Sequence, residues 1–308
     1  MSSARDGILI VDKPPGMTSH DVVATVRRRL PKKTKVGHTG TLDPFATGVL
    51  PVVIGKATRL SQFLTAGRKR YLASVTFGTA TDTGDCMGAV VATATPAALS
   101  ALDEETVRDA LAGFRGTHAQ LPPAHSAKKV DGERAYVLAR RGEAVELDPV
   151  EVTAHAVALT TWDAASHTAV LDLDVSAGYY VRSLARDLGV RLGVPAHLTA
   201  LRRTGSGDWS LDQAHSLAEI VQSSPEAFLH LCRPMAVALG QWPAVTVDAT
   251  QVDAVLAGRL VVLDETQAIA IGSVPLPDRV RLLSTDGDLV ALARLSSPNA
   301  LHADIVLR

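Results

Sequence analysis

Gly37-His38-Thr39-Gly40-Thr41-Leu42-Asp43-Pro44-Phe45-Ala46-Thr47-Gly48 holds three glycines, a proline and three threonines within twelve residues. Glycine accepts positive φ and close backbone approach, while proline fixes φ and removes a donor, so neither a regular helix nor a central strand fits. The stretch is a shaped loop. Residues 49–54 (Val-Leu-Pro-Val-Val-Ile) read as a buried strand that anchors it. Asp43 is the one carboxylate of the loop, and a residue before proline is driven into an extended conformation, so the backbone dictates its orientation. A loop held rigidly on a sheet is a common place for a reactive group. An Asp-Pro that merely closes a turn is the other reading of the same residues.

Outward from the loop, residues 7–12 predict a buried strand that ends at the turn Lys13-Pro14-Pro15-Gly16. Thr18 or Ser19 caps a helix with Val22, Val23, Val26 and Leu30 on one face, and Pro31 stops it. Downstream, 56–65 predicts an amphipathic helix carrying Leu60, Phe63 and Leu64. Residues 70–78 alternate as a strand with Tyr71, Ala73, Val75 and Phe77 on one face. The polar segment 79–88 holds Asp82-Thr83-Gly84-Asp85. Its Asp-Thr-Gly has no second copy, which an aspartic protease needs. Helices are expected over 103–113 and 132–141, with the rigid Leu121-Pro122-Pro123 between them. Two antiparallel strands follow, 151–162 and 168–175. A helix then buries Val181, Leu184, Ala185, Leu188 and Leu192, which leaves Arg182 and Arg186 together on another side. The texture changes near 240. Short strands (280–283, 289–295, 305–307), a helix over 251–256 and the hairpin signature Asp286-Gly287 describe a small β-barrel-like module over 245–308.

At 308 residues the chain is long for one core, which favours a large domain over 1–240 and the small module after it. A 46% hydrophobic and 20% charged composition is that of a soluble globular protein. The apolar run 8–11 is too short for a signal peptide or a membrane span. Cys86 and Cys232 offer neither a disulfide framework nor metal spacing, so a reducing, cytoplasmic setting is expected. The net charge of −1 hides an asymmetry: residues 1–150 carry 20 Lys+Arg against 15 Asp+Glu, and residues 151–308 carry 11 against 17. The basic residues cluster at Arg27-Arg28-Arg29 with Lys32, Lys33 and Lys35, at Arg68-Lys69-Arg70, and at Lys128-Lys129 with Arg140-Arg141. Such runs are often plain solvated surface. Three of them in one half also suit a surface that tracks phosphates.

Generic motifs fail. Gly55-Lys56 is followed by Ala57 and lacks the upstream glycine of a phosphate loop. Gly205-Ser206-Gly207 lacks the third glycine of a dinucleotide fingerprint, and no pair of histidines has ligand spacing. Chemistry is therefore expected from a carboxylate, a tyrosine, an arginine or a lysine, without cofactor or metal.

The loop 37–48 resembles the active-site motif of the bacterial TruB-type tRNA pseudouridine synthases. The opening 7–19, Lys69-Arg70-Tyr71, Thr81-Asp82-Thr83-Gly84-Asp85, Ser126-Ala127-Lys128, Gly178-x-Tyr180-Val181-Arg182 and Leu201-Arg202-Arg203 follow in that family's order, over roughly residues 7–210. The resemblance implies an α+β pseudouridine-synthase fold: a mixed, mostly antiparallel central sheet flanked by helices, with a PUA-like RNA-binding module at the C-terminus. It implies cofactor-free isomerisation of the T-loop uridine of tRNA, position 55 in the usual tRNA numbering, by a cytoplasmic monomer. Asp43 matches the catalytic aspartate, Arg182 the arginine paired with it, and Tyr180 the tyrosine that assists proton loss at C5. Tyr71 matches the aromatic that stacks on the flipped base, Leu201 an apolar wall, and His38 the residue that fills the vacated space. Asp85, Lys13, Arg59 and Lys128 are the further substrate-binding positions it implies. Tyr179 has no assigned role and reads as packing. A non-catalytic RNA-folding protein and a nucleoside hydrolase are the rival readings of such a pocket.

Overall fold

The computed structural model describes residues 6–308 apart from 127, 131, 136, 137, 139, 140, 142, 144–146, 268–278 and 298. Of the helix expected over 132–141, residues 136, 137, 139 and 140 lie outside them, as does Ala127, and its start is instead a short strand, Glu133–Arg134, paired antiparallel with Lys129–Val130.

Near the N-terminus, strand β1 (Gly7–Lys13) leads through a turn to helix α1 (Ser19–Arg28), then β2 (Val36–His38) and β3 (Thr47–Ile54). Thr18 forms a capping box with Asp21: its hydroxyl accepts the Asp21 N–H, and the Asp21 carboxylate accepts the Thr18 N–H. Such a cap is worth about 1 kcal/mol. The helix ends at Arg28, earlier than Pro31 alone dictates, and Leu30 packs against the core from outside it. Next come β4 (Lys69–Phe77), α2 (Glu104–Ala112), β5 (Gly116–Gln120), β6 (Val150–Asp163), β7 (Thr168–Val175), α3 (Val181–Leu192), β8 (Ala196–Ser206), β9 (Trp209–Ser210) and β10 (His215–Ser216). The amphipathic segment over 56–65 starts as a 3-10 turn, Gly55–Leu60, and only Ser61–Thr65 is α-helical.

These ten strands form one sheet in the order β10-β1-β3-β8-β4-β7-β6-β5, with β2 paired to β3 and β9 to β8. Only β1–β10 and β3–β8 are parallel. The sheet is therefore mixed and mostly antiparallel, as expected. Pro51 is tolerated inside β3 because β8 pairs only at Thr47 and Gly48 and β2 only from Val52. Its missing N–H falls in the gap between the two, on the side where its carbonyl accepts Thr39 N–H at 3.0 Å.

The run 8–11 is apolar without alternation because both of its faces are covered. Leu9 and Val11 join the main core with Val22, Val26, Leu50 and Val52. Ile8 and Ile10 face a second core with Val49, Val53, Leu60, Leu289, Leu292 and Leu307. On β4 the alternation returns: Tyr71, Ala73, Val75 and Phe77 are buried, while Leu72 between them is 40% exposed.

The C-terminal portion has β11 (Ala244–Val247), α4 (Ala249–Leu256), β12 (Val261–Val262), β13 (Val280–Ser284), β14 (Leu289–Ser297) and β15 (Ala300–Val306). Its sheet runs β11-β13-β14-β15-β12, an open half-barrel around a core of its own. Two of its strands, β11 and β12, fall outside the strands expected from sequence, and β15 spans Ala300–Val306 where only 305–307 was expected.

Candidate active site

The loop between β2 and β3 is tied down from three directions. From α1, Ser19 Oγ accepts the Leu42 N–H at 2.8 Å and donates to the Leu42 carbonyl at 3.2 Å. From the end of β1, Lys13 Nζ donates to the Pro44 carbonyl at 3.2 Å, which also accepts the Gly16 N–H at 2.9 Å. From β8, the buried Arg203 guanidinium donates to the carbonyls of Val49 (2.6 Å), Gly40 (3.2 Å) and Thr41 (3.4 Å). Gly48 lies at φ 104°, and a Cβ there would fall 2.2 Å from the Arg203 carbonyl oxygen, so only glycine fits. Leu42, Ala46 and Thr39 are buried, and Asp43, the one carboxylate of the loop, is half-buried beside them.

Arg182, the second residue of α3, meets it. Its Nε lies 2.9 Å from Asp43 Oδ2 and its Nη2 3.1 Å from Oδ1, a two-pronged pair with strong directional preference. Two further N–H groups of Arg182 donate to the carbonyls of Thr83 and His125, each at 2.8 Å, and its side chain is 6% exposed. Asp85 completes the cluster, with Oδ2 3.8 Å from Arg182 Nε and Oδ1 accepting from Thr83 Oγ and Met87 N–H. Burial pushes the Asp43 carboxyl above the usual aspartate range; Arg182 pulls it down, and the Asp85 charge adds to the rise. Tyr180, immediately before α3, has its phenol raised by burial, against the pull of the Ser126 hydroxyl and the Arg182 charge.

The amino-acid sequence matches the model of the TruB family pseudouridylate synthase (N terminal domain) over residues 27–181, and that of the tRNA pseudouridylate synthase B C-terminal domain over 182–239. The chain belongs to the TruB family. It is 43% identical over 303 residues to the tRNA pseudouridine synthase B of Solibacter usitatus, covering 98% of this chain and all of that one. It is 46% identical to that of Mycobacteroides abscessus, over 83% of this chain and 84% of the relative. Among solved structures, a Cbf5-Nop10-Gar1 complex superposes with a TM-score of 0.73 at 26% identity, over 99% of this chain and 86% of that one.

Within this TruB-family enzyme, Asp43, Arg182 and Asp85 are brought together. Leu201, 7% exposed, and Tyr71, 8% exposed, share one apolar cluster with Leu42 and Ala46, which flank Asp43. His38 is half-buried at the end of β2, its ring edge-on to His20 at 5.7 Å. Lys13 is wholly buried with its ammonium on the carbonyls of Pro14 and Pro44, and burial lowers it to about 8. It touches the site through the loop.

Two further positions are not brought to Asp43. Lys128 Nζ donates to the Asp148 carbonyl at 2.9 Å, and Arg59 donates to the Val306 carbonyl of the C-terminal sheet. Arg182 and Arg186 do not share a face in use: Arg186 stays near the surface on Asp187 and the Leu121 carbonyl. Tyr179 is buried in the main core, with its ring edge-on to His118 at 5.9 Å. The basic clusters also split. Arg29 lies over the Phe228 ring at 6.0 Å and Lys69 is buried on the carbonyls of Thr65 and Gly67, whereas Arg28, Lys32, Lys33 and Lys35 are exposed. Sequence reasoning placed Arg203 in the motif Leu201-Arg202-Arg203 but missed its work on the loop, because what matters is the backbone carbonyls that it reaches.

Proposed function

We propose that this TruB-family protein isomerises the T-loop uridine of tRNA to pseudouridine, and the observation that carries the reading is the Asp43 carboxylate held by both prongs of Arg182. The reaction breaks the N1–C1′ bond, rotates uracil and joins C5 to C1′. A proton leaves C5 and one is gained at N1, so atoms balance without a redox partner. Asp43 serves as nucleophile or as the stabiliser of an oxocarbenium-like centre, and attack at C1′ or at C6 requires the same ionised, aimed carboxylate. Arg182 supplies both properties. Tyr180 assists proton removal at C5, and Asp85 adds a second carboxylate beside the guanidinium, 3.8 Å from its Nε.

The uridine must leave the loop stack to reach Asp43. Tyr71 and Leu201 form the wall against which the flipped base rests, and His38, on the rim, fills the space it vacates. The exposed cations of residues 28–35 take phosphates of the T arm. Lys33, Lys35, Lys56 and Arg59 line one open depression, which extends that surface toward the C-terminal sheet. In this reading residues 1–240 are the catalytic domain and 245–308 a PUA-like RNA-binding module. The enzyme acts as a monomer in this reading. Among the described residues no helix is long and apolar enough to cross a membrane.

The test is product mapping. Unmodified tRNA transcript is incubated with the pure protein and no added cofactor, then read for pseudouridine at single-nucleotide resolution. Pseudouridine at the T-loop uridine is expected, and its loss in Asp43→Asn with tRNA affinity kept within a few-fold. Tight binding without product would favour an RNA-folding protein, and free uracil a hydrolase.

A further inference from the structure

Gln120 closes the edge strand β5 and is 2% exposed, yet its side chain does not pair within the sheet. Its Oε1 accepts the Tyr180 N–H at 2.8 Å and its Nε2 donates to the Tyr180 carbonyl at 3.1 Å. An N–H needs an acceptor and a C=O needs a donor, so the two bonds fix which way the amide faces. The side chain stands in for the backbone of a neighbouring strand.

Its target is a delicate point of the chain. Tyr180 sits at φ −103°, ψ 107°, extended, at the junction where Val181 begins α3, and its own side chain makes no capping bond. Without an external partner its N–H would be unpaired in a half-buried setting. Neighbouring bonds reinforce the junction: the Leu121 carbonyl accepts from Ser183 Oγ at 2.7 Å and from Arg186 Nη2 at 3.0 Å. The turn after β5 is thereby stitched to the first turns of α3. Of these side-chain bonds the Gln120 pair is the one that acts on the backbone carrying the phenol, whose carbonyl also accepts the Leu184 N–H at 3.2 Å from within α3.

We infer that Gln120 is a positioning residue for the isomerisation, its amide fixing the Tyr180 backbone so that the tyrosine hydroxyl stands in register with Asp43. The inference rests on the role proposed above for Tyr180. Misplacement of a reacting group by about 1 Å can cost about 100-fold in rate, which sets the scale of the effect.

The experiment is a double-mutant cycle on single-turnover rates with full-length protein and tRNA transcript. Gln120→Met keeps the length and removes both bonds; it is expected to lower kcat by about 10- to 100-fold with KM for tRNA within about threefold. In a Tyr180→Phe background the same substitution is expected to change kcat by less than about threefold, because the group it positions is gone. Losses that multiply would overturn the inference, as would full kcat in Gln120→Met while Tyr180→Phe is inactive. Full turnover by Tyr180→Phe overturns the tyrosine's role and this inference with it.

Gln120→Glu guards against misfolding of the methionine variant. Its carboxylate form loses the donor and sets a charge against the Tyr180 carbonyl, whereas its neutral acid form restores both bonds, one oxygen accepting and one O–H donating. The ratio of its kcat to that of the unaltered protein should rise as pH falls. A flat ratio would overturn the inference.

Discussion

At Asp43, opposing effects of similar kind decide when the enzyme works. Burial raises its pKa above the usual 3.8, and Arg182 is the main group holding it down. Because the reaction needs the anion, activity is lost as pH falls through this raised pKa, so the acid limb of the single-turnover rate lies above the ordinary aspartate range. Removing the guanidinium removes the downward pull. In Arg182→Met the limb should move upward by about one to three pH units, the span that an opposite charge at close range produces. Arg182→Lys keeps the charge and loses the fork; it should hold the limb nearer its original place while still costing turnover. A limb that stays put in Arg182→Met would remove the electrostatic role of the pair. This part of the site was legible in the sequence, since Asp-Pro in a glycine-rich loop announces an aimed carboxylate. That Arg182 turns inward and Arg186 outward was not, because helical spacing places both on one side and only the loops packed against α3 separate them.

At the level of the element, the loop is a rigid object held on buried cations. Lys13, Lys69 and Arg203 are all buried around its base with their donors on main-chain carbonyls, two of them on the loop itself. Gly48 is where the loop crosses the Arg203 backbone. Gly48→Ala forces a backbone shift and should cost about 4 kcal/mol or more in denaturant unfolding, among the large effects for a single substitution. Gly16 is the control, since it shares a positive φ (79°) but a Cβ there meets nothing within 4 Å. Gly16→Ala should cost only the left-handed strain, about 1–2 kcal/mol. Equal costs at the two sites would mean that the crossing at Gly48 is not tight. The glycines themselves were readable as a shaped loop. Their partner across the crossing was not, for nothing local in the sequence says that residue 203 will lie beside residue 48.

Across the whole molecule the charge asymmetry and the two cores make separate demands. Arg28 and Lys33 are exposed, so replacing either should weaken tRNA binding and flatten its log–log salt dependence by about one unit of slope for each phosphate left without its cation. Replacing Arg29, stacked on Phe228, should instead lower the melting temperature and leave the slope unchanged. The C-terminal half-barrel is tied to the catalytic sheet by more than a linker. Leu289, Leu292 and Leu307 close the core over Ile8, Ile10, Val49, Val53 and Leu60, on the face of β1 and β3 opposite the main core. The apolar run 8–11 was readable as buried, but nothing in it says that the second cover comes from residues almost three hundred positions later. Cutting the chain after residue 244 would expose that face, and each large side chain returned to water forfeits about 1.5–3 kcal/mol of burial. The truncated protein should therefore aggregate or melt well below the full chain, measured by scanning calorimetry and sedimentation. If it stayed monomeric and melted at the same temperature, the second core would contribute no stability, and the two portions would be independent domains joined only in sequence.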